Sequence, residues 1–124
     1  METITSRTNQ HLKHARQVRN GKVPGEFFVE GMRLTKELLR SPIRPAAFFV
    51  ADEFVLQNQE LVDNIRGTVP VYFVSNSIFP SISDTKTPQG IAAVCFKPSD
   101  ANERLNKAVQ NPDPVSVLLL HRIS

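Results

Sequence analysis

The stretch "EFFVEGMRLTKELL", residues 26–39, decides the fold class. Glu26–Glu30 is a short apolar run edged by carboxylates and reads as a strand. Gly31 breaks it. From there Leu34, Leu38 and Leu39 recur at helical spacing, which predicts an inward-facing helix over 32–41, closed by Pro42 and Pro45. Strand, glycine and helix within 16 residues is the opening of a βα unit. A glycine at that junction lets backbone come close to a partner, and a helix N-terminus favours anions. Glu30 either fills that position itself or complements the helix dipole from the first turn.

The pattern repeats on both sides. Upstream, residues 8–20 (TNQHLKHARQVRN) place Leu12, Ala15 and Val18 on one helical face, with Gly21 as the stop. Downstream, Ala46–Val50 reads as a buried strand. Asp52 is the expected cap of a helix running to about Ile65, with Leu61, Val62 and Ile65 on its apolar side. Val69–Val74 is a third strand, Ser75 caps a short helical piece through Ile78 and Phe79, and a polar loop, Ser83–Gly90, leads into the strand Ile91–Phe96. Short apolar strands alternating with helices predict an α/β fold: a compact α/β/α sandwich with a mainly parallel sheet of about four strands.

After Pro98 the composition turns polar, and Pro112 and Pro114 interrupt it, so residues 98–114 read as a linker. Val115–Leu120 then reads as a new apolar strand. It is expected to dock on its own domain, to pair with a second copy through an exposed edge, or to be disordered and promote aggregation.

Composition narrows the function classes. No apolar run approaches the roughly 18 residues that a membrane span needs, and residues 1–7 lack the apolar stretch of a secretory signal. The one cysteine excludes an internal disulfide framework and fits a cytoplasmic protein. The net charge of +3 is unevenly placed: residues 1–44 carry nine of the 15 Lys and Arg against four acids, the rest six against eight. Lys13, Arg16 and Arg19 line up three apart on the first helix and are expected to face solvent. A basic front half on a neutral body points to a polyanion.

No catalytic set is recognisable. His11 and His14, three apart in a basic stretch, are expected to face solvent or RNA rather than hold a metal. Cys95 reads as a small buried hydrophobe, and no acid–base role is legible for Asp84. In the loop SDTKTPQG, residues 83–90, Pro88 and Gly90 suit a tight turn into a strand. Gln89 is the residue which that turn does not require, and it offers both donors and an acceptor.

Three stretches together carry a resemblance. Ser6, Asn9 and Lys13 match a Ser-x-x-Asn-x-x-x-Lys helix. Phe27, Val29, Glu30 and Gly31 match a Phe-x-Val-Glu-Gly junction. Pro88, Gln89 and Gly90 match a Pro-Gln-Gly loop before the last strand. In order and spacing, residues 4–97 resemble the N-terminal substrate-binding domain of the SpoU (TrmH-like) RNA ribose 2′-O-methyltransferases. That resemblance implies an L30e-like α/β/α domain which grips structured RNA, ribosomal or transfer. It implies residues 115–124 as the first strand of a knotted SPOUT methyltransferase domain that lies beyond this chain. S-adenosylmethionine and most of any homodimer contact would belong to that second domain, so no residue here is expected to be catalytic.

On this reading Arg7, Asn9, Lys13, Arg16, Arg19 and Lys22 contact RNA, chiefly through phosphates. Gln89, the Gly90 backbone and Arg33 read its shape or an exposed base. A free-standing L30e-like RNA-binding module is the alternative, and an interaction domain pairing through the C-terminal strand is another.

Overall fold

A computed structural model describes residues 3–98. The linker and strand expected at 98–114 and 115–124 lie, but for residue 98, outside the described residues. The elements in chain order are β1 (Thr3–Ile4), α1 (Gln10–Arg19), β2 (Glu26–Glu30), α2 (Met32–Arg40), β3 (Pro45–Ala51), α3 (Asp52–Gln57), α4 (Gln59–Arg66), β4 (Val71–Val74), a 3-10 turn (Phe79–Ser81) and β5 (Ile91–Phe96).

The five strands form one sheet in the order β1-β4-β3-β5-β2. Pairings β1–β4 and β3–β4 are parallel; β2–β5 and β3–β5 are antiparallel. Four strands therefore run one way, and β5 runs against them between β3 and β2. The sheet has five strands where about four were expected, and it is mixed: four run in parallel, as expected of most of it, and β5 does not. The reason lies in residues 75–90. They contain no helix long enough to carry the chain back across the sheet, so β5 starts at the end where β4 stops and must run the other way. β1 escapes a sequence reading because two residues show no periodicity.

Alternation along the strands splits the interior in two. Phe27, Val29, Phe48, Val50, Ile91, Ala93 and Cys95 face one side, packed on Leu34 and Leu38 of α2, Phe54 of α3, and Val62 and Ile65 of α4. Phe28, Phe49, Ala51, Ala92 and Val94 face the other, packed on Leu12, Ala15 and Val18 of α1 with Phe79 and Ile82. A strand buried on both faces needs an apolar residue at every position, which is why β2, β3 and β5 read as unbroken apolar runs.

Three local expectations change. Leu39 is 45% exposed, because α2 turns only Leu34, Thr35 and Leu38 fully inward. Asp52 is the first residue of α3 and Ala51 its cap position, with no side-chain cap bond. The helix expected to run on to Ile65 breaks at Asn58, whose side-chain amide donates back to the Phe54 carbonyl at 3.1 Å. Asparagine competes there with the regular helical ladder.

Candidate nucleic-acid interface

The C-terminal ends of β1–β4 and the start of β5 share one end of the sheet, the usual ligand end of an open α/β fold. Backbone bonds tie the ends together: Gly31 N–H to Ile91 O at 3.0 Å, Ala51 N–H to Gly90 O at 2.8 Å, and Ser75 N–H to Ile4 O at 2.9 Å. Glu30 and Gly31 of one junction motif and Pro88, Gln89 and Gly90 of the other lie here, while Phe27 sits further back along β2, opposite Cys95.

Glu30 does not occupy the start of α2. Its carboxylate reaches the 83–90 loop, where Oε2 accepts from the Ser83 hydroxyl and Oε1 from the Asp84 N–H at 2.9 Å. Gln89 takes the helix instead. Gly31, the cap position of α2, has no side chain, and Gln89 Oε1 accepts from the Met32 N–H at 2.7 Å. Gly31 has φ +94, and a Cβ there would lie 3.0 Å from that same oxygen. Glycine is needed so that the cap can come in from 57 residues away.

Gly90 is buried, with φ +97, and a Cβ would sit 3.0 Å from Phe54 Cβ and 3.3 Å from Ala51 Cβ. Its missing side chain allows the loop to pack on α3 and β3.

The basic stripe on α1 is also divided. Lys13 is exposed. Arg16 and Arg19 are half-buried, which corrects their expected solvent-facing position. Arg16 Nη2 donates to the Arg7 carbonyl at 2.7 Å, and Nη1 reaches Ser81 Oγ at 3.5 Å. Arg19 Nη1 donates to the Ser81 and Ser83 carbonyls at 3.1 and 3.3 Å, and its Nε lies 3.9 Å from the Asp84 carboxylate. Backbone carbonyls in an irregular loop need donors, and the fixed guanidinium fork supplies several at once. Asn9 caps α1, its Oδ1 accepting from the His11 N–H at 2.8 Å. Arg7, Lys22 and Arg33 are exposed, Arg33 beside the capped Met32.

The structure thus gathers Arg16 and Arg19 around residues 81–84, with the Arg7 carbonyl on Arg16, and sets Gln89 and Arg33 together at the start of α2. Lys13 and Lys22 stay outward on and just after α1. Two side chains take positions the sequence did not reveal. His11 is half-buried and stacks on Tyr72, ring centroids 4.1 Å apart, and His14 Nε2 lies 3.0 Å from Glu26 Oε1. Both contacts join positions remote in sequence, which helical spacing cannot signal.

Two clefts flank Gln89. One, of about 450 Å3, is lined by Glu30, Gly31, Asp84, Thr85, Thr87 and Gln89. The other, of about 290 Å3, lies between α3 and residues 76–90. Among the described residues no group of three or more His, Cys, Asp or Glu is placed to hold a metal, and no helix is long and apolar enough to cross a membrane. Cys95 is fully buried, and burial pushes its thiol up to about 12, far from a usable nucleophile.

Relatives share this architecture. The 23S rRNA (guanosine(2553)-2′-O)-methyltransferase RlmP of Bacillus subtilis (strain 168) is 28% identical over 127 residues, covering 96% of this chain and 49% of its own length. The chain thus spans about half of that curated relative. The AdoMet-bound rRNA methyltransferase from Sinorhizobium meliloti superposes with a TM-score of 0.62 at 18% identity, over 77% of this chain and 36% of its own. An RNA 2′-O ribose methyltransferase superposes with a TM-score of 0.63 at 21% identity, over 79% and 38%. At these identities the superpositions establish the fold. The model of the MRM3-like substrate binding domain matches residues 9–93, from the Asn9 cap of α1 into β5 and through both junction motifs. The chain belongs to the MRM3-like substrate binding domain family.

Proposed function

We infer that this domain is the RNA-recognition part of an S-adenosylmethionine-dependent rRNA ribose 2′-O-methyltransferase of the SpoU (TrmH-like) type. One observation carries the reading: the substrate-binding family model matches residues 9–93, from the cap of α1 through β2, β3 and β4 into β5. Two apolar clusters on opposite faces of one sheet support an L30e-like, three-layer arrangement for the domain. In this reading residues 98–114 lead to the catalytic domain, whose first strand begins within 115–124. Dimer contacts belong mainly to that second domain, and the protein works on ribosomal RNA in the cytoplasm.

When bound, S-adenosylmethionine supplies the methyl group for a ribose 2′-hydroxyl, the group that distinguishes RNA from DNA. The residues described here bind and orient. Arg7, Lys13 and Lys22 hold phosphates as exposed cations, with Arg33 at the mouth of the Gln89 junction. Arg16 and Arg19 set the 81–84 segment against α1 and so fix the surface on which the RNA lies. Asn9 acts through the same helix by capping it.

The test is a salt titration of binding between the 124-residue chain and fragments of 23S rRNA. Changing Arg7→Glu and Lys13→Glu together lowers affinity and reduces the slope of log K against log salt by about two, near one per lost phosphate contact. Affinity and slope equal to those of the unaltered chain would refute the assignment.

A further inference from the structure

The cleft between α3 and residues 76–90 does not suit phosphate. Its volume of about 290 Å3 is at the lower bound of small-ligand sites, which run from about 300 to 1,000 Å3. It can hold one flat group and not a helical stretch of RNA. Phe79, Pro80 and Pro88 give it apolar walls, and three side-chain amides, Gln57, Asn76 and Gln89, stand around them. Among the described residues no lysine or arginine lines it, and the only charge on its rim is the Glu53 carboxylate. A phosphate would be repelled there, whereas an uncharged heterocycle would not.

The amides are set in advance. Gln89 Oε1 caps Met32 N–H, and Asn76 Oδ1 accepts from the Glu53 N–H at 3.0 Å. In each case the oxygen must face a backbone donor, so the NH2 is the end left for a ligand. Two helix starts thereby fix two donors at the cleft without a ligand having to order them. Gln57 is exposed and has no hydrogen bond within the described residues, so it can donate or accept. Donors between apolar walls match the carbonyl and ring-nitrogen edge of a nucleobase.

We propose that this cleft takes one unstacked RNA base, its faces against Pro80 and Pro88 and its acceptor edge on the amides of Asn76 and Gln89, with Gln57 as the selective contact. The proposal rests on the RNA-recognition reading and adds the base to the phosphates. The 3-10 turn joins the two functions: Pro80 lines the cleft, and the next residue, Ser81, is held by Arg16 and Arg19. A nucleotide can therefore place its base in the cleft while its phosphates run toward Arg7 and α1.

The test uses the 124-residue chain and five hairpin RNAs: one fully paired, and four with a single bulged A, C, G or U. The expected result is binding about tenfold tighter for at least one bulged hairpin than for the paired one, the scale of one stacked base. Gln57→Ala then narrows the spread among the four bulges with the salt slope unchanged, and Pro80→Ala weakens all four toward the paired hairpin. Equal binding of all five hairpins with a steep salt slope overturns the cleft and leaves the phosphate surface standing. A bulge preference that survives both substitutions also overturns it. No binding of any hairpin, at low salt as well, overturns the RNA reading itself.

Discussion

The Glu30–Gly31 and Pro88–Gln89–Gly90 junction and the outer side of α1 handle polar groups in opposite ways. At the junction, Glu30 is bonded to the Ser83–Asp84 loop, Gln89 to α2, and the Gly90 carbonyl to β3. On α1, Lys13 has no such partner within the described domain, and Arg7 offers only its carbonyl to Arg16. On the proposed reading the first region shapes the surface and the second contacts the RNA that lies on it. The difference should appear as a separation of stability from binding.

The largest effect belongs to Gly90→Ala. A side chain at φ +97 and a Cβ 3.0 Å from Phe54 Cβ combine strain with overpacking. The expected cost is about 2–4 kcal/mol, read from the urea midpoint. A change below about 0.5 kcal/mol, the size of an ordinary surface substitution, would break the comparison. Next is Glu30→Gln, which replaces an ionised acceptor of two bonds by a neutral one and should cost about 1.5–3 kcal/mol. Limited proteolysis within 83–90 should accelerate in parallel; if the cut sites fall elsewhere, Glu30 does not hold that loop.

Gln89→Ala removes the cap of α2 and should cost about 1 kcal/mol. Faster amide exchange at Met32, without a change across β5, would locate the loss at the helix start. The smallest stability effect belongs to Lys13→Glu, within about 0.5 kcal/mol, because the side chain is exposed and makes no bond in the domain. A large fall in melting temperature there would mean that α1 is structural on its outer side too.

Much of this fold was legible in short windows. Leu12, Ala15 and Val18 at helical spacing gave the buried face of α1, and the unbroken apolar run of Phe27–Val29 gave a strand covered on both sides. Asn58 was not legible as a helix break, because Asp52–Arg66 keeps an apolar period across it. The site was half legible. Gln89 stood out as unneeded by its turn, yet its partner Met32 is 57 residues away. Arg16 and Arg19 were placed on one stripe correctly, but spacing does not say what that stripe faces. Their main acceptors are backbone carbonyls, of Arg7 for Arg16 and of Ser81 and Ser83 for Arg19, which have no side-chain signature.

From the sequence alone came the element types, the uneven charge and the three motifs of the family, since each depends on residue types a few positions apart. Only the tertiary structure decided that β5 runs against its neighbours, that the arginines hold a loop, and that two side-chain amides bonded to helix starts line one cleft. Those outcomes depend on which distant backbone groups lack partners once the chain has folded, and local propensity carries no record of that.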